Sequence, residues 1–559
     1  MQRVMIAAIL ALPSVFSLSL VGCSGNGTPA AQSERASAVL FEGMGAHTRP
    51  VSCLGPMGQR YFDQGLTWMY GFNHDEAIRS FEEVTRLDPE CAMGWWGVAI
   101  ACGPHINNMV MSPERSKQAW EATQRALALS SGASQADRAL IEALASRYAW
   151  PAPEDRRALE EAYAKAMAGV YERFPSDQDV ATLYAESMMD LAPWDLYTLE
   201  GDPKPGTERI VEVIEGVLAV NPRHPGAAHL YIHAVEASRR PERAVAAADV
   251  LRDLVPASGH LRHMPSHIDI RIGEWEKAAV ANRKAVATDA AYRALSPDQG
   301  FYHLYMMHDG QFLSFVSMMR GRSEEAISSG KAAVEGLPKE MVKAYAGVID
   351  GYMTVHMDAL KRFGKWDEIL ALKQPPSYLP LTTAMWRCNR AIAYAAKGEL
   401  DRARRERERF VEACGRVPEG QLVQINPADR VLKLALHVVD GEIAYIERDY
   451  SRAEEELRAA MAIEDTLLYM EPPDWMVPVR HTLGTVQIDA GRFADAEQTY
   501  REDLVNWPEN GWSLLGLAKA LEAQGKSAEA AEVRKRHAKV WAGADIAAHA
   551  SCLCAPKGS

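Results

Sequence analysis

The chain has 559 residues, more than a single ordinary core spans, so it is built of several domains or of a repeat array that grows along one axis. Its 48% hydrophobic and 24% charged residues exclude a disordered chain, and a net charge of −13 argues against a nucleic-acid backbone as partner. The basic run at Arg402–Arg409 alternates with Glu and reads as a solvated helix face.

Taken in chain order, the first element is an export signal. Arg3 precedes an apolar stretch, Val4 to Val21, that Pro13 and several serines break, so it is too short and too interrupted for a permanent span. It ends in "LVGC", Leu20 to Cys23, which resembles the lipobox of bacterial lipoproteins. That resemblance implies cleavage before Cys23, a lipid on its thiol, and membrane attachment. Ser24 after the cysteine implies sorting to the outer membrane, on its periplasmic face. The small, polar stretch Gly25 to Ala38 reads as a flexible tether. The expected division is a signal peptide over 1–22, anchor and tether over 23–56, a helical array over 57–541 and a tail over 542–559. Seven cysteines follow Cys23, so at least one is unpaired; the Cys552–Cys554 pair reads as a disulfide clamp to a distant cysteine or a soft metal site.

From Tyr61 onward the chain repeats. In "YFDQGLTWMYGFNHDEAIRSFEEVTRLDP", Gly65, Trp68, Ala77, Phe81 and Pro89 are spaced as in two amphipathic helices packed as a hairpin. The spacing resembles the tetratricopeptide repeat (TPR), whose period is about 34 residues. Further units are read at Gly273/Ala278/Ala285, Gly321/Ala326/Ala333, Gly364/Ile369, Gly398/Ala403/Phe410, Gly441/Ala453/Ala460, Gly484/Ala496/Tyr500 and Leu514/Ala518/Ala530. The expected fold is all-α: helical hairpins forming a curved superhelix. Period breaks at 102–115, 192–206, 286–306, 371–384 and 466–477 are expected as loop insertions.

The chemistry lies in the histidines. His229 and His233 are four apart on a predicted helix and share a face. One period later come His263 and His267, in "GHLRHMPSH", together with His260. The TPR resemblance implies that these positions face the concave groove, and His308 and His481 fall in the same register; His303 lies in the connecting segment beside His308. Pro265 is expected to begin the helix that carries His267, leaving His260 and His263 in the turn before it. His356 reads as core.

Neutral imidazole is the commonest nitrogen ligand for zinc and copper, so these eight histidines (229, 233, 260, 263, 267, 303, 308, 481) form a candidate transition-metal site, with five or six rings enough for two ions. Glu236, Asp269 and Asp309 are candidate orienting carboxylates. Copper is favoured slightly over zinc by the all-histidine set and nearby methionines such as Met264 and Met306. His105 in the 102–115 segment, and Glu471, Asp474 and Trp475 ahead of His481, are further pocket candidates. Two functions follow: a lipid-anchored metal-dependent enzyme, a copper oxidoreductase or a zinc hydrolase acting on a small molecule, or an envelope scaffold whose groove binds a protein or peptide.

Overall fold

The computed structural model describes residues 38–296 and 299–555; the signal segment, Cys23 and all but Ala38 of the polar stretch Gly25 to Ala38 lie outside them. Among the described residues the chain is helical from Pro56 to Val540, the only strands being a two-residue ladder that pairs Leu422–Val423 with Asn426–Pro427. No described helix is long and apolar enough to cross a membrane.

Each hairpin follows from a small residue opposite a large one. The Phe81 ring on helix His74–Leu87 is fully buried against Gly65 of its own hairpin and Gly97 of the next helix; a Cβ at Gly97 would come within 2.3 Å of it. Tyr500 repeats this at the other end, against Gly484 and Gly516. The turns also repeat. The N–H three residues past the first helix reaches back to close it: Asn73 to the Trp68 carbonyl (2.9 Å), Glu274 to Asp269 (2.8 Å), Arg322 to Ser317 (2.9 Å). This turn needs one residue with positive φ, and glycine supplies it at Gly273 (80°) and Gly321 (68°), and again at 364, 398, 491 and 525. Arg448 and Phe72 take the same position with side chains, at φ 65° and 56°.

Three expectations are corrected here. The segment 286–306 is no loop: helix Trp275–Leu295 runs through its first half, carried by the helix-favouring "VATDAAYRAL", and helix His303–Met319 begins within it. The helix bearing His267 begins earlier than Pro265. Ser258 caps a first segment, Gly259–His263, and Met264 in αR geometry joins it to Pro265–Arg271. Pro265 therefore sits in the second turn, where its missing N–H and ring are accommodated at the join, and His260 and His263 are helical. Finally, Cys552 pairs with Cys554 itself and not with a distant cysteine, because the tail loops back on itself; Cys53 pairs with Cys91, and Cys102, Cys388 and Cys414 are free.

The array closes on itself twice. The first hairpin meets residues 224–302: Trp68 packs on Tyr292 (ring centroids 5.3 Å), Tyr70 on His224 (5.3 Å), and Arg79 donates to Ser296 (3.2 Å). The C-terminal end meets residues 275–324. Trp275 Nε1 donates to the Pro508 carbonyl (2.8 Å), Trp512 Nε1 to the Met318 carbonyl (2.7 Å), and Asp545 accepts from the Ser323 and Glu324 N–H groups (2.7 and 2.9 Å). One hydrophobic core runs from Val51 to Met306, a second from Met357 to Ala555, and a third, around Trp275, Phe312 and Trp512, lies between them. Helix Gly259–His263 belongs to the first closure, through His260 beside Phe72; Pro265–Arg271 and His303–Met319 also reach the C-terminal part of the chain, through His267 on Glu471 and the Met318 carbonyl under Trp512.

Candidate metal centre

Three helices bring six histidines together: His229 and His233 on Pro225–Val235, His260, His263 and His267 on the segment from Gly259 to Arg271, and His308 on His303–Met319. Their ligand nitrogens group as two triads. Those of His229, His233 and His260 lie within 4.8 Å of one another, and so do those of His263, His267 and His308. The triads abut, with ring centroids 5.6 Å apart at His233 and His267 and 5.8 Å at His260 and His263. The two sequence pairs thus stay apart, each recruiting one further ring.

The partners fix which nitrogen carries the proton. His229 Nδ1 lies 2.6 Å from the Tyr70 carbonyl, which only accepts, so Nδ1 donates and Nε2 keeps its lone pair. His233 Nδ1 likewise donates to Glu236 Oε1 (3.0 Å). Asn282 is oriented by its own donation to the Ala278 carbonyl, so its Oδ1 accepts from His263 Nδ1 (2.7 Å). His267 Nδ1 donates to Glu236 Oε2 (2.7 Å) and also lies 3.0 Å from Glu471 Oε2. The Nε2 atoms of His229 and His233 and both nitrogens of His260 are buried without a hydrogen-bond partner. An imidazole whose Nδ1–H is tied to a carboxylate or carbonyl, with Nε2 free, is the usual arrangement around a bound metal ion.

The most pointed contact is His263 Nε2 to His267 Nε2, at 2.7 Å. Both Nδ1 atoms are engaged as donors, so two lone pairs face each other, and that approach is stable only with a proton or a metal cation between them. Burial resists charge on His267, but the Glu236 and Glu471 carboxylates outweigh it and raise this group to about 10. Burial, with the neighbouring imidazoles, holds His229, His260 and His263 well below the usual histidine range and His308 down at about 3. These four are neutral at pH 7 and need lose no proton to bind a metal.

Around the triads lies an aromatic and polar wall. Phe312 stacks on His267 (5.1 Å), and Trp194 meets His233 edge-on (5.4 Å). Phe72 lies against His229 (4.4 Å) and stacks on His105 (4.5 Å), which in turn packs on His74 (4.4 Å). His74 Nε2 is also buried without a partner, and burial lowers the group to about 4. Asp309 Oδ1 is 3.6 Å from His263 Nδ1.

The tetratricopeptide repeat model matches residues 477–502 and 511–536, the last two hairpins, where Tyr500 packs between Gly484 and Gly516. The chain carries tetratricopeptide repeats. No curated protein matches it. Among solved structures it is similar to the human IFIT1 dimer with PPP-AAAA (13% identity, covering 87% of this chain and 90% of that one, TM-score 0.32). It is also similar to Cut9–Hcn1 of the APC/C hetero-tetramer (10%, 89% and 79%, 0.29) and to yeast Tom70 (10%, 85% and 90%, 0.29).

In TPR terms, the six triad histidines come from the first helices of three consecutive hairpins, 225–251, 259–295 and 303–335. Two expected members take other places. His481 Nε2 bonds Asp503 (3.0 Å), which Asn510 and Ser513 also reach, and is held in that separate network. His303 turns its Nδ1 to the Gly300 carbonyl (3.1 Å) at the start of its helix. The segment before His481 does reach the triads, but through Glu471; Asp474 instead binds Gln424 and Asn426, and Trp475 lies under Lys361. Asp269 is not an orienter, because Arg252 takes both its oxygens (2.6 and 2.8 Å). His356 is half-buried and not core. The methionines, including Met264, Met306 and Met318, are core filler.

A third grouping, His47, Asp179 and His224, is of another kind. His224 Nδ1 accepts the Ala227 N–H (3.1 Å) as a helix cap, which puts the proton on Nε2, where it points at Asp179 (3.3 Å). With no lone pair to offer, this group is a charge network, completed by Tyr70, whose hydroxyl donates to Asp179 (2.7 Å), and by Arg49.

His74, Phe72 and Asn282 escape sequence reasoning. The signal for Phe72 is an aromatic residue where six other turns have glycine and one has Arg448; His74 follows it by two residues.

Proposed function

We propose that this TPR scaffold holds a dinuclear transition-metal centre, one ion at His229, His233 and His260 and one at His263, His267 and His308, and that the chain is a metal-dependent enzyme. The observation that carries the reading is the tautomer pattern. In His229, His233 and His263 the Nδ1–H is engaged by a protein acceptor and the Nε2 lone pair is left for a ligand-seeking ion, while His267, held by Glu236 through Nδ1, gives up its Nε2 proton when an ion binds. Three neutral imidazoles per ion suit copper or zinc. Two adjacent all-nitrogen triads favour copper and oxidation of a small molecule over zinc and hydrolysis; the nearby carboxylates Glu236, Glu471 and Asp309 approach the rings at Nδ1. The anchoring at Cys23 and the place on the periplasmic face of the outer membrane belong to the same proposal.

A scaffold that uses this groove for a peptide fits less well, because the six imidazoles, His308 apart, are no more than 6% exposed and offer a peptide no surface. The test is elemental analysis of the chain from Cys23 onward, reconstituted with copper(I) and with zinc. Two ions per chain are expected, with His229→Ala and His263→Ala each losing about one of them. A parent chain that takes up no stoichiometric metal refutes the reading.

A further inference from the structure

Phe72 departs from its counterparts twice. At the equivalent turn position six other hairpins place glycine, while Phe72 takes φ 56°, which L residues rarely adopt. Arg448 takes this position too, at φ 65°, but its side chain is exposed, so what sets Phe72 apart is where its ring goes. The ring is 3% exposed and is buried among imidazoles. It lies nearly parallel to His233 (12°), His105 (25°) and His260 (27°), and against His229 at 4.4 Å. All three members of the first triad therefore border this one phenyl ring. Without it, a slot the size and shape of a six-membered aromatic ring would lie beside the triad, walled by flat imidazole faces that stack well on another flat ring.

We propose that Phe72 determines ligand size at the first triad. Its ring keeps an aryl-sized slot filled and restricts the metal there to ligands of two or three heavy atoms, such as dioxygen or azide. The proposal rests on the metal reading above and adds to it the class of ligand the centre admits. The backbone strain is consistent with this role: glycine would serve the turn better, but only a side chain can fill the slot.

The experiment uses the full chain from Cys23 loaded with copper(II), with azide and phenol as probes, read by charge-transfer absorption and calorimetry in the parent and in Phe72→Gly, Phe72→Ala and Phe72→Leu. Elemental analysis comes first. The variants are expected to keep the parent's metal content, because no ligand is removed, and to bind azide within about threefold of the parent. Phenol is expected to bind at least about tenfold more tightly to the Gly and Ala variants, while Leu, which refills most of the slot, stays close to the parent. Metal-loaded variants with the parent's phenol affinity overturn the proposal and leave the dinuclear reading intact. Loss of metal in all three also overturns it, since the ring would then be a structural support. A parent without metal removes the underlying reading and this proposal with it.

Discussion

Glu236 is held at both ends by imidazole. One oxygen takes the His233 Nδ1–H and the other the His267 Nδ1–H, so a single buried carboxylate orients one ring in each triad. Its charge is favoured by those two histidines against the cost of burial, and it stays far below the usual carboxylate range. Glu236→Gln keeps the shape but offers an amide nitrogen to one of the two Nδ1–H groups. We expect metal affinity to fall about 10–100-fold at both positions, measured by competition with a chromophoric chelator. A loss confined to one ion would show that the carboxylate serves only one triad. The residue scale also shows what was legible beforehand. His229, His233, His263 and His267 announce themselves by their spacing of four and their period, because both follow from helix geometry alone. Glu236 was visible as a nearby carboxylate, but its double role was not, since His267 lies 31 residues away and the direction of its ring depends on packing.

At the scale of the element, the hairpins depend on glycine facing a ring. Gly97→Ala drives a methyl into Phe81, which is already closed in by Gly65, and is expected to cost about 1–3 kcal/mol in urea unfolding. Gly97→Ala combined with Phe81→Leu should recover part of that loss; strict additivity of the two changes would disprove the steric account. Such small–large pairs are what made the repeat readable from Gly65, Phe81, Gly484 and Tyr500. The helix starts at Gly259 and not at Pro265 because the local rule for proline is incomplete: a proline is tolerated where a join in the helix spares its missing hydrogen bond.

At the scale of the molecule, contacts between distant hairpins decide the site, and no periodicity encodes them. Phe72 and His105 reach the triads from the first closure, and Glu471 from the second, more than 200 residues from His267. The first closure is pinned by Asp179, which accepts from Tyr70, His47 and His224 and faces Arg49 at 3.4 Å. Burial opposes charge on Asp179, but its hydrogen bonds to His224 and His47 outweigh it and set the carboxyl well below its usual value. A depressed carboxyl stabilises the fold above its unfolded pKa of about 3.9 and loses that contribution as pH falls through the lower folded value. Asp179→Asn should therefore cost about 3–5 kcal/mol at pH 7, and the gap in melting temperature to the parent should close as the pH is taken below about 4. A gap that stays constant with pH would show that the carboxylate charge is not what stabilises. Metal binding is expected to stabilise the whole array and not one hairpin: free metal at 100 times Kd should add about 2.7 kcal/mol per ion, about 5.4 kcal/mol for two, in a single cooperative transition read by calorimetry.

The placement of the triads at the seam shared by both closures has a kinetic consequence. The imidazoles of the first triad are 0–6% exposed and walled by Phe72 and Trp194, so an ion that enters or leaves must displace buried side chains. Uptake and release are then timed by that transient displacement and not by the strength of the metal–nitrogen bonds. Once loaded, the centre would surrender its ions slowly even to a chelator that binds them more tightly, and loading would be fastest while the chain is still assembling.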